Sequence, residues 1–269
     1  VQLDQARIAI AERAWVDNLD LALHIARRSC GPLLVYALAG MLPLALANHL
    51  LFRSAAADVE QSTELVGSIY WLMILIMIEV PLATAPMTLY LGKALFEDRP
   101  SPRHIVRDYW ASLPQMLLLQ VVLRAILIVP VVTWFIPYVI WPYLNEVILL
   151  ERNPLVAKPG QVSTRGRNRI LHGANGGEFL ARGLVTMLLA PLLIGSLFAA
   201  QYFLLQSVLG IEPAGPGTLV GLQVVAWLVV GYFTVARFLS YLDQRIRNEG
   251  WEVELLLRAQ RERLLRQIA

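Results

Sequence analysis

Trp134-Phe-Ile-Pro-Tyr-Val-Ile-Trp-Pro-Tyr-Leu-Asn-Glu-Val-Ile-Leu-Leu150 runs directly into Glu151-Arg-Asn-Pro154 and then into a connection carrying Lys158, Arg165, Arg167 and Arg169. An apolar run that stops where positive charge begins reads as a membrane span ending on the cytoplasmic side, because short loops rich in Lys and Arg are held there. The remaining spans count outward from this junction.

Composition agrees with it. Hydrophobic residues make up 57% of the 269, charged residues 16%, and mean hydropathy is +0.56, whereas a soluble domain carries about 25% charged residues. The net charge of +3 lies between apolar runs rather than within them, which suits anionic lipid headgroups and not nucleic acid. One cysteine, Cys30, excludes an intramolecular disulfide and a multi-cysteine metal centre. The residues following Val1 do not resemble a cleavable signal peptide.

In chain order, residues 1–28 contain an amphipathic helix, with Trp15, Leu19, Ala22, Leu23 and Ala26 on one face and Arg27-Arg28 before the first span. It reads as an interfacial anchor, or equally as a helix packed on the rest of the chain. Residues 29–241 read as a six-helix transmembrane domain with spans at 30–52, 65–91, 113–130, 134–150, 180–208 and 219–241. Each approaches the roughly 20 residues that cross a hydrocarbon core about 30 Å thick. Pro43, Pro81 and Pro86 interrupt the first two. The apolar stretch 113–150 is read as two spans with a tight outer turn; one span plus a re-entrant hairpin would put basic loops on opposite sides. Lys93, Arg99, Arg103, His104 and Arg107 mark a second basic connection, while 210–217 has no Lys or Arg. This alternation places both termini in the cytoplasm. Residues 242–269 are predicted to form a cytoplasmic amphipathic helix, with Glu254 four before Arg258 and Glu262 four before Arg266. The expected class is thus all-α, a polytopic integral membrane protein. Leu95-Phe-Glu-Asp-Arg-Pro100 and Leu149-Leu-Glu-Arg-Asn-Pro154 share Leu-x-Glu-x-x-Pro, an echo that shared helix-exit chemistry explains more simply than duplication.

Tyr241-Leu-Asp-Gln-Arg-Ile-Arg-Asn-Glu-Gly-Trp-Glu-Val-Glu-Leu255 is similar to the closing segment of bacterial six-span inner-membrane proteins that look like relatives of the membrane domain of glycerophosphodiester phosphodiesterases. Glu146 and the Glu151 junction resemble the acidic end of that group's fourth span, and 145–177 resembles uncharacterised planctomycete-type membrane proteins. The resemblance implies a bacterial inner-membrane helical domain. No phosphodiesterase domain accompanies it, so that chemistry does not carry over.

Glu79 and Arg124 sit near the middle of their predicted spans, where an arginine costs roughly 2.5 to 3.5 kcal/mol and must face protein or water. Antiparallel neighbours at matching depth, they are expected to pair, with Asn145 and Glu146 able to join them. Such a cluster either fixes helix register or lines a substrate or proton path. Arg165, Arg167, Arg169 and His172 form a candidate grip on lipid phosphates, although retention of positive charge inside explains the same residues. Gly217 and Gly221 have the spacing of a close helix contact. The four histidines lack metal-ligand spacing, and no P-loop, dinucleotide fingerprint, nucleophile elbow or HExxH occurs. No metal or cofactor is expected. The expected function is a non-enzymatic scaffold or accessory subunit of an envelope or lipid-handling assembly, with the bilayer, anionic lipids and a membrane-protein partner as its contacts. The alternatives are a transporter or channel using the Glu79, Arg124 and Glu146 cluster, and a lipid-modifying enzyme.

Overall fold

A computed structural model describes residues 15–57, 62–97, 99–128, 141–155, 157, 161–172, 176–211 and 215–249, and every regular element among them is helical. In order they are α1 (Trp15–Arg28), α2 (Cys30–Ala57), α3 (Ser62–Ala94), α4 (Pro102–Met116) and α5 (Leu123–Ile128), then α6 (Leu144–Glu146), α7 (Thr164–His172), α8 (Gly176–Phe203) and α9 (Gly215–Glu249). π-helical turns at Leu117–Val122, Val147–Glu151 and Leu204–Val208 prolong α4, α6 and α8.

Among the described residues five segments are long and apolar enough to cross a membrane: Cys30–Phe52, Leu65–Ala94, Pro102–Leu127, Leu180–Val208 and Gly215–Arg247. The chain is an all-α, multi-pass membrane protein. The third segment begins earlier than the predicted 113. Ser101 is its N-cap and Pro102 supplies a preset φ, so the amphipathic run feeds unbroken into the apolar one. Pro114 lies inside it, just before the first π-helical turn, where the amide it lacks is missing from the ladder. The predicted outer turn and the start of the fourth span fall within 129–140, outside the described residues, as do 1–14 and residues 250–269 of the predicted tail helix. At the other end α9 continues past the predicted 241 to Glu249.

The central helix is α9, which packs against α1, α2, α3 and α8, with 67% of its most apolar window buried. Met41, Leu72, Ile76, Ala226 and Trp227 form one core between α2, α3 and α9. Leu33, Met87, Val235 and Phe238 form a second, which also takes Ala22 of α1. Association in lipid gains little from apolar burial and depends on close packing and polar contacts. Accordingly α2 meets α3 at Gly40, where any Cβ would collide with the Ala83 carbonyl oxygen. Gly221, one of the two glycines singled out by spacing, faces the Gln201 side chain of α8's end rather than a backbone.

The packed face of α1 differs from the predicted one. Asn18 and Ala22 are buried, while Leu23 is 52% exposed, because the helix is rotated to lay Leu19 and Ile25 on the second core. The Tyr232 hydroxyl of α9 donates to the Leu19 carbonyl at 3.0 Å.

Candidate functional site

The predicted intramembrane cluster divides in three. Glu79 accepts a 2.8 Å hydrogen bond from Asn48 Nδ2 on α2, so the expected pair with Arg124 gives way to one with a nearer helix. Asn48 is only 2% exposed, and the extensive α2–α3 contact brings its amide to the carboxylate. Arg124, 3% exposed, faces protein and donates from Nε to Gln120 Oε1 at 2.9 Å, one helical turn back. Glu146 is fully buried and takes Arg237 of α9 as its partner, Nε to Oε1 at 2.7 Å. Asn145 lies beside it in sequence, 1% exposed, with neither amide atom hydrogen-bonded.

Among the proposed headgroup residues, Arg165 and Arg169 are exposed on α7. Arg167 is committed elsewhere, donating from Nε and Nη2 to the two carboxylate oxygens of Glu151. It is a structural residue because α7 turns back onto the π-helical turn that prolongs α6 and ends at Glu151. Thr164 fixes that turn, its Oγ1 donating to the Asn153 carbonyl at 2.7 Å, while Gln115 Nε2 donates to Thr164 Oγ1 at 2.7 Å. His172 is the last residue of α7.

Two carboxylates close this basic end of the bundle. Glu151 also accepts from the Tyr241 hydroxyl at 2.7 Å, with Arg245 at 3.9 Å. Burial alone would raise its pKa, but the hydrogen bonds from Arg167 and Tyr241 and the Arg245 charge hold it below its ordinary value of 4.5. Asp108 of α4 meets Lys93 at 2.7 Å and Arg152 at 2.6 Å, joining the end of α3 to the chain beyond α6. Arg152 has φ 52, a left-handed residue that ends the π-helical turn. The two Leu-x-Glu-x-x-Pro motifs thus differ in role, since Glu97 is exposed.

Above this closure lies a cavity of about 370 Å³ between α3, α8 and α9, capped by Trp15 and Leu19 of α1. Its wall is a regular stripe. Arg182, Thr186, Ala190 and Ile194 recur every fourth residue along α8, and Ala226, Val230, Phe233 and Arg237 recur at three or four along α9. At 1.5 Å per residue the α8 stripe is about 18 Å long. Most of the lining is apolar, and among the described residues its charged members are all arginines: Arg124, Arg182 and Arg237. Arg182 and Arg237 stand at the basic end with Tyr143 and Ser240. Their acidic partners lie outside the lining. Glu146 holds Arg237, and Glu178 and Asp243 hold Arg182.

None of Arg182, Tyr143, Ser240 and Arg237 stood out in the sequence as a site residue. The four-residue recurrence from Arg182 to Ile194 was the available signal. The described residues contain no group of three or more His, Cys, Asp or Glu side chains placed to hold a metal ion. No protein-family model, curated protein or solved structure matches the chain.

Proposed function

We propose that this chain is a non-catalytic, lipid-handling protein of the bacterial inner membrane, with both ends at the cytoplasmic face, and that it holds one amphiphile inside its helix bundle for an envelope assembly. The supporting observation is the 370 Å³ cavity, which begins at the basic end and extends along α8 into the apolar interior. Its volume falls in the range of ligand pockets, roughly 300 to 1,000 Å³. Apolar space between helices in a bilayer is filled by a lipid tail at little cost, since tails are as apolar as the wall. The orientation rests on the distribution of Lys and Arg between connections.

Native mass spectrometry of protein released from nanodiscs tests the reading. Wild type is expected to retain one lipid, and Ala190→Phe with Ala226→Phe, which fill the cavity from α8 and α9, to lose it while melting normally. Equal retention by the filled variant refutes the cavity as the site. Lipid movement between leaflets of proteoliposomes, lost in the same variant, would turn the holder into a transporter.

A further inference from the structure

We infer that the basic end of the cavity binds the anionic oxygens of the amphiphile's head, a phosphate ester or a carboxylate, through Arg182, Arg237 and Ser240. This rests on the reading of the cavity as a lipid site and adds what the site selects.

Unused donors carry the inference. Nε and Nη1 of Arg182, Nη2 of Arg237 and Oγ of Ser240 are all buried without a hydrogen-bond partner. All three residues line the cavity. Arg182 is 7% exposed and Ser240 3%, so water at the surface does not serve them. Buried donors left unpaired are uncommon, because each forfeits its hydration without recompense. Four at one end of one cavity call for an acceptor-rich group.

The arrangement of charge selects an anion. Glu178 takes Arg182 through Nη2, and Asp243 approaches the same atom at 3.6 Å. Arg247 neutralises that acidic side, 3.2 Å from Asp243 and 3.8 Å from Glu178. Both acids meet the guanidinium at Nη2, and Tyr143 of the lining also bonds it, so Nε and Nη1 are the nitrogens still without a partner. A ligand head there meets positive lining, with no carboxylate among the described lining residues. Arginine suits phosphate and carboxylate oxygens, which accept several charge-assisted bonds at once.

Depth agrees as well. Arg182 lies six residues after the start of α8, about 9 Å along the axis, near the level of lipid headgroups if that end meets the cytoplasmic leaflet. The tail, running toward Ile194, gains little over its place in the bilayer, so discrimination falls to the head.

The test measures uptake from nanodiscs of dioleoyl phosphatidylcholine doped with dioleoyl phosphatidate, with oleate, or with dioleoylglycerol, read as adducts by native mass spectrometry. The expected result is phosphatidate or oleate favoured over dioleoylglycerol by roughly tenfold or more, a difference of one charge-assisted bond. Whichever of the two anions binds identifies the phosphate or the carboxylate as the head. Ser240→Ala, which leaves every ion pair in place, is expected to reduce the preference several-fold, and Arg182→Gln to abolish it while neutral lipid still enters. Should Arg182→Gln fail to fold, Ser240→Ala alone decides. Retention of lipid without regard to head, unchanged by Ser240→Ala, would overturn the inference and leave the cavity reading standing. Absence of any adduct would overturn both.

Discussion

Glu151→Gln keeps the shape of the side chain and removes its charge, so it isolates what the carboxylate contributes to the basic end of the bundle. The wild-type group is held by both donors of Arg167, by the Tyr241 hydroxyl and by the Arg245 charge. Hydrogen bonds to charged groups contribute about 1.5 to 3 kcal/mol each. The Glu151 and Arg167 side chains remain 11% and 18% exposed, so solvent screening puts each near the lower end. Glutamine can accept from Tyr241 but cannot accept from both Arg167 donors. The expected loss is about 3 kcal/mol, read from unfolding by SDS in mixed micelles at pH 7. Because the folded pKa is depressed below 4.5, the native state gives up this proton more readily than the unfolded chain. The carboxylate's contribution is therefore complete above pH 4.5 and disappears as the pH falls through the lower, folded value. Wild type should lose its advantage over Glu151→Gln in that window. Equal stability at pH 7, or an unchanged difference on acidification, refutes the assignment of Glu151 as the closing carboxylate.

Asp108→Asn should cost about 2 kcal/mol, and a double-mutant cycle with Lys93→Met should show coupling above about 0.5 kcal/mol, since they contact at 2.7 Å; additive effects would deny the pair. Gly40→Ala should lower the melting temperature through overpacking of about 1 to 3 kcal/mol against the Ala83 carbonyl. Gly31→Ala, with nothing near the added atom, should not lower it, and equal effects would place the helix crossing elsewhere. Asn48→Leu should destabilise more than Glu79→Gln, because it strands the carboxylate while the glutamine keeps its partner. Glu79→Gln and Arg124→Gln should add within about 0.5 kcal/mol, and strong coupling would restore the pair the structure replaces.

The class of fold was legible because membrane spans are written in one dimension: length and apolarity suffice. Partner choice is not. Glu79 and Arg124 stand out by depth in the hydrocarbon, but depth names no neighbour, and α2 approaches α3 closely enough at Gly40 for Asn48 to take the carboxylate. Arg167 looked like its neighbours Arg165 and Arg169 because all three sit in one basic run. Only the return of α7 onto Glu151 separates the structural arginine from the exposed ones. Arg182 stayed hidden for the opposite reason. It opens a long apolar helix, where a single charge near the end passes for a boundary marker.

The cavity follows from an imbalance between the two long helices of the last hairpin. The apolar window of α9 is 67% buried, whereas that of α8 is 0% buried, so α8 leans on α9 without closing against α3. In water such a gap would collapse, since its exposed apolar walls would drive the helices together. In a bilayer that drive is absent. What holds α8 in place is the polar contact across to α9 at its basic end, Arg182 with Asp243 and Glu178 with Arg247. The same guanidinium thus sets the helix against α9 and leaves two donors facing the gap. This dual use makes Arg182→Lys informative. An ammonium can keep the ion pair with Asp243 but offers no planar array of donors on the cavity side. It should preserve the melting temperature to within about 1 kcal/mol of stability and still weaken retention of an anionic lipid. A variant that holds lipid as wild type does would show that helix placement, not recognition, is what Arg182 supplies.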